Sequence, residues 1–162
     1  MSDSLYDDDA LIWAEQQAGL LRRLADGERG NHAIDWPHVI EEIAGVGLSQ
    51  LHACESLLRQ ALVHLLKLHL GEDRPAAHWR AETAGFLADA QTRFTPSMRQ
   101  RIDLKEPFVL ALRQVRAGED ATRPSRALPA ACPFVLDDLL SQDLAVPRLV
   151  ARLKAAKDLA AF

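Results

Sequence analysis

The stretch Leu48–Leu70, LSQLHACESLLRQALVHLLKLHL, leaves this chain few ways to fold. Its apolar residues recur every three or four positions, the α-helical period, and no window of the chain alternates as a half-buried strand does. On a helical wheel Leu51, Cys54, Leu58, Leu62, Leu65 and His69 share one face, and Leu57, Ala61 and Leu68 widen it. A face that broad meets more than one neighbour. The spacing therefore predicts an all-α, single-domain helical bundle with this helix, about 48–70, at its centre. A chain of 162 residues is long enough to bury a core of that kind.

The flanking segments supply the other helices. Asp7, Asp8 and Asp9 can satisfy the exposed amides at a helix start, and Ala10, Trp13, Ala14, Gln17, Leu20, Leu21 and Leu24 then recur at helical spacing. That helix is expected to end near Asp26-Gly27. Asp35-Trp36-Pro37 is a second start, because Asp caps and a proline in the first turn loses no hydrogen bond. The helix it opens runs through Val39, Ile40 and Ile43 and is expected to break at Gly45 and Gly47, before the long helix begins. Gly71 and Pro75 stop the long helix. A further helix is expected from about Ala77 to Phe94, with Trp79, Thr83, Phe86, Leu87 and Ala90 inward. Thr95-Pro96 restarts the chain, and Pro107 lies near the start of a helix through Val115. Residues 117–133 read as an irregular connector, Phe134–Leu140 as a short helix and Arg148–Phe162 as a terminal amphipathic one.

Charge is distributed unevenly. Residues 1–73 hold 13 acids against 5 bases, residues 74–126 hold 6 against 10, and residues 127–162 hold 4 of each. Charged faces of this kind are ordinarily solvated or packed beside one another. The basic middle lacks the clustered Lys and Arg with interleaved aromatics of a nucleic-acid surface, so nucleic acid is not the expected partner. Arg59, His64 and Lys67 interrupt the most apolar stretch, so no membrane span is expected. The acidic N-terminus is unlike a secretory signal, and the expected location is cytoplasmic. Cys54 and Cys132 make neither a disulfide framework nor a metal knuckle.

Two constellations invite chemistry. Glu41, Glu42, His64 and Lys67 bring carboxylate, imidazole and amine together if the second and third predicted helices pair, which is the material of acid/base catalysis. The same groups serve equally as a buried polar latch in which His64 bonds to Glu41 or Glu42, and the latch is the preferred reading. His38 and Glu42, with His64, form the alternative metal set, since bundle sites use Glu and His from facing helices. No HExxH or CxxC supports a metal, and His64 and His69 diverge by roughly 140° on a helix, so they are not adjacent ligands. No nucleophile motif, phosphate loop or dinucleotide fingerprint is present, and no cofactor is expected. Trp13, Trp36 and Trp79 read as core anchors rather than a ligand box.

Tyr6-Asp7 with Trp13, Ile40-Glu41-Glu42-Ile43 followed by Gly47, His64-Leu65-Leu66-Lys67, Trp79, and Cys132-Pro133-Phe134 followed by Leu136 and Leu139-Leu140 occur in this order over about residues 5–147. In these motifs the chain resembles family 29 of the bacterial domains of unknown function. The resemblance implies an all-helical domain without an established activity, here 1–147, extended by residues 148–162 within the same domain. His69 departs from the family pattern where an aromatic is more usual, and Val135 departs where a capping Thr is common. The second departure implies a short helix that frays easily. The function expected is that of an interaction or accessory module, with a protein partner or self-association through the terminal helix, whose Leu149, Val150 and Leu153 suit a partner surface.

Overall fold

In the computed structural model, the residues described are 5, 8–27, 36–71, 76–118 and 128–159, the last three by backbone alone. Among them every regular element is helical. The helices are α1 (Ala10–Ala25), α2 (Trp36–Leu70), α3 (Ala76–Arg93), α4 (Lys105–Ala117), α5 (Leu136–Leu139) and α6 (Val146–Leu159), with a 3₁₀ turn over Pro96–Gln100. The chain divides into two compact units, one of residues 1–53 and 94–101, the other of residues 54–93 and 102–162.

In the first unit, α1 starts where the acidic cluster places it. Asp9 is the N-cap, its Oδ1 accepting from the Ile12 amide at 3.1 Å, and Arg22 and Arg23 sit in the last turn where the dipole favours cations. The helix turns Leu11, Ala14 and Ala18 inward. Against them comes α2 at Gly47, where an added Cβ would lie 2.7 Å from Leu11 Cδ1 and 2.9 Å from Leu11 Cα. Glycine is what lets the two helices approach this closely. The 3₁₀ turn packs on α1 and is tied to it twice: Ser97 Oγ donates to Asp9 Oδ1 at 3.0 Å, and Arg101 clasps the Glu15 carboxylate at 2.6 and 2.8 Å.

The expected break at Gly45 and Gly47 is absent. Helix α2 runs unbroken for 35 residues. An interior glycine costs a helix only about 1 kcal/mol, less than the helix gains from continuous packing, and Gly47 is there for contact rather than for bending. The Asp35 cap lies outside the described residues, as does most of the connector at 119–127.

The second unit takes its core from the rest of α2. Leu58, Ala61, Leu62, Leu65 and Leu66 are fully buried, with Val63 and His69, so that around its last three turns this helix is enclosed on nearly every side. Helix α3 buries Trp79, Thr83, Leu87 and Ala90, and Cys54 Sγ donates to the Ala90 carbonyl at 3.6 Å. The Thr83 hydroxyl returns to the Trp79 carbonyl at 2.6 Å, as a buried hydroxyl in a helix must. Helix α4 adds Phe108, Ala111, Leu112 and Val115. Helix α6 packs on α3 and buries Val146, Leu149 and Leu153. The apolar face assigned from sequence to a partner is therefore already used within the chain's own unit. The short helix α5 has no side-chain cap at Val135, but Asp138 Oδ2 accepts from the Val135 amide at 2.8 Å and Asp138 Oδ1 holds Arg152 of α6 at 2.6 Å. That carboxylate supplies half of a capping box and compensates in part for the missing Thr.

Candidate functional site

Chemistry-bearing side chains gather where the end of α2 faces the start of α3. His64 projects from α2 with its side chain 13% exposed, and its Nδ1 lies 3.1 Å from Glu82 Oε2. The approach is that of an ion pair without the alignment of a hydrogen bond. Glu82 Oε1 lies 3.3 Å from His78 Nε2, one turn earlier on α3. Phe86, one turn later, sets its ring 5.4 Å from the His64 ring at 55°. Lys67 Nζ stands 5.7 Å from the centre of the Trp79 ring, within cation–π range. One carboxylate thus serves two imidazoles beside an aromatic wall, with an ammonium close by.

Burial is the main force on His64, disfavouring its charged form and holding its pKa below the ordinary histidine value. Glu82 opposes that shift, while Lys67 and His78 add to it. Cys54, enclosed between α2 and α3, has its thiol pushed up to about 11 by burial first and by Glu55 second. Burial also raises Cys132, whose Sγ lies 3.7 Å from the Phe134 carbonyl. Neither cysteine has the depressed pKa of a nucleophile.

The structure does not bring the four residues singled out from sequence together. Glu41 and Glu42 are exposed residues of the first unit, as is His38, whereas His64 and Lys67 belong to the second. About six turns of one unbroken helix lie between Glu42 and His64. Neither the acid/base set, nor the metal set of His38, Glu42 and His64, nor the latch to Glu41 or Glu42 has the hairpin it needed. Among the described residues no group of three or more His, Cys, Asp or Glu side chains is placed to hold a metal ion. His64 is a core-edge histidine with a carboxylate partner, but that partner is Glu82. Sequence reasoning missed it, although His78 and Glu82 stand at i,i+4 spacing on a segment already read as a helix. Trp79 anchors the second unit, and Trp13 and Trp36 belong to the first.

These features can be set beside known proteins. The model of the family described as domain of unknown function DUF29 matches residues 5–145. The chain belongs to this family. Among solved structures it is similar to an alpha-helical protein of unknown function from Rhodospirillum rubrum, with 30% identity and a TM-score of 0.81 over 91% of this chain and 96% of that one. No curated protein matches the chain. The DUF29 match includes His64, Lys67, Trp79 and Glu82 and stops within the loop before α6. No described helix is long and apolar enough to cross a membrane.

Proposed function

We propose that this DUF29 protein is a non-catalytic interaction module of the cytoplasm whose partner-facing element is α1. One observation carries the reading: α1 has a second apolar face. Leu11, Ala14 and Ala18 are buried, yet Leu20 and Leu24 are 50% and 53% exposed and lie about a third of a turn round the helix from them, in line with the half-buried Trp13 and Gln17. The spacing Trp13, Gln17, Leu20, Leu24 is the four–three–four rhythm of a coiled-coil seam, with one polar residue of the kind that sets register.

The occupant that fits is an α-helix of another protein with an apolar stripe and acidic residues along its edge. Arg23 is exposed beside the seam and favours an anionic neighbour at its edge. A second copy of α1 would set Ala14, Gln16, Leu21 or Arg23 against it instead. The polar cluster at Glu82 has no nucleophile beside it and supports no reaction in preference to this reading.

A photo-crosslinking residue in place of Leu20, with cross-linked peptides sequenced by mass spectrometry, tests the proposal. The expected product is a single helical segment carrying Asp or Glu within a turn of its apolar stripe, lost when Leu24→Ser accompanies the probe. Cross-links to this same chain, or cross-links unaffected by Leu24→Ser, would overturn it. Light scattering on the same samples separates a hetero-complex from a dimer.

A further inference from the structure

We infer that His64, Glu82 and His78 form a proton-operated latch between α2 and α3, in which Glu82 accommodates one imidazolium and which loosens when both imidazoles gain charge. The geometry that carries this is the sharing of one carboxylate. Glu82 presents Oε2 to His64 at 3.1 Å and Oε1 to His78 at 3.3 Å, so neither imidazole has the anion to itself. A single negative charge can compensate one imidazolium and not two.

The surroundings make the second charge costly. Among the described residues, the titratable and charged groups that bear on His64 are Glu82 and His78 from α3 and Lys67 from its own helix. Lys67 works against a charge on His64, and the Phe86 ring offers no hydrogen bond to a protonated ring. His64 is also largely enclosed, its side chain only 13% exposed. With both histidines protonated, the group carries two imidazoliums and an ammonium against one carboxylate. Like charges at this distance repel, and the way to relieve them is to let α3 move off α2 or to admit water between them.

The sign follows from the direction of the His64 shift. Its pKa is lowered in the folded chain, so the unfolded chain binds the proton first as pH falls. The contribution to stability is complete above the unfolded value of 6.5 and is lost as pH drops from there through the folded value. Histidine is suited to this role because its charge changes between pH 5 and 8.

The experiment is imidazole titration by ¹H–¹³C NMR on the whole chain, in wild type, Glu82→Gln and His78→Gln, with amide hydrogen exchange across residues 76–93 at pH 7.5 and pH 5.5. In wild type, His64 should titrate below an ordinary histidine, and protection factors in the first turns of α3, which correct for the slower intrinsic exchange in acid, should fall from pH 7.5 to pH 5.5. Glu82→Gln removes the counter-charge and should move the His64 midpoint further down. His78→Gln removes a competitor and should move it up while suppressing the acid-induced loss of protection. His78 is 62% exposed, so that variant keeps the fold even if Glu82→Gln does not. A His64 midpoint that His78→Gln leaves in place, a wild-type α3 whose protection does not fall in acid, or a fall in protection that persists in His78→Gln, would overturn the latch. A purely structural ion pair would move the His64 midpoint in both variants without any loss of protection in α3 on acidification.

Discussion

Gly47→Ala and Gly45→Ala test the close approach of α1 and α2, and they should change stability in opposite directions. Both glycines lie inside the same helix, so alanine brings both the same propensity gain of roughly 1 kcal/mol. At Gly45 nothing stands within 4 Å of the new Cβ, and the gain is realised. At Gly47 the Cβ meets Leu11 Cδ1 at 2.7 Å and Leu11 Cα at 2.9 Å. The first can move with its side chain. The second is backbone, nearly 1 Å inside ordinary carbon–carbon contact at about 3.5–4.0 Å. Overpacking of this kind costs about 1–3 kcal/mol, so Gly47→Ala should be net destabilising by up to about 2 kcal/mol and should lie about 1–3 kcal/mol below Gly45→Ala. For a chain of this length that is a gap of very roughly 2–12 °C in Tm, measurable by calorimetry and by circular dichroism at 222 nm. Helicity should be the same in both variants before melting. A Gly47→Ala protein as stable as Gly45→Ala would mean that α1 does not lie against α2 at Leu11.

Three further outcomes follow from local geometry. Val135→Thr should complete the capping box that Asp138 already half makes and raise stability by about 0.5–1 kcal/mol in urea melts, whereas no gain would show that α5 is not capped at residue 135. Leu144 has a positive φ of 40°, so Leu144→Gly should cost roughly 1–2 kcal/mol less than Leu140→Gly, a half-buried neighbour with ordinary backbone; equal costs would refute strain at 144. With its thiol pushed up to about 11 by burial, Cys54 should resist iodoacetamide at pH 8 until the protein is unfolded, while the half-buried Cys132 reacts sooner; Cys54 labelled in the native state as fast as a free thiol would contradict its enclosure.

Much of the architecture was legible in the chain because it rests on local signals. Asp9 caps α1, Pro37 opens α2 in its first turn, Gly71 with φ 63° follows the last residue of α2, and the α3 boundaries fall within a residue of those read from sequence. What escaped was set by tertiary contact. Gly47 looked like a hinge because a glycine in a pattern does not reveal that a neighbouring backbone needs its missing side chain. On α1 the large residues Leu20 and Leu24 drew the apolar stripe toward solvent, while the buried face is built partly from small residues, Ala14 and Ala18, which carry a weak hydrophobic signal. The candidate site failed for the same reason as the hinge. Once α2 is continuous, Glu41 and Glu42 stay on its first turns and His64 takes a partner from α3. The terminal helix was correctly seen as amphipathic, but amphipathicity does not say whether the apolar side meets another molecule or α3.

The first unit is assembled from two separated stretches of chain, since Ser97 and Arg101 come back to Asp9 and Glu15 across more than eighty intervening residues. On a ribosome this imposes an order. Helix α1 emerges early and cannot receive its 3₁₀ cover until α2 and α3 have been made and residue 101 has cleared the exit tunnel. At synthesis rates of about 5–20 residues per second that interval lasts several seconds, long compared with the microseconds in which a helix forms. During it Asp9 and Glu15 wait for Ser97 and Arg101, and Leu20 and Leu24 stand open to solvent. A chaperone that attends the nascent chain would find its footing there, on a segment that is translated well before the turn that completes its unit.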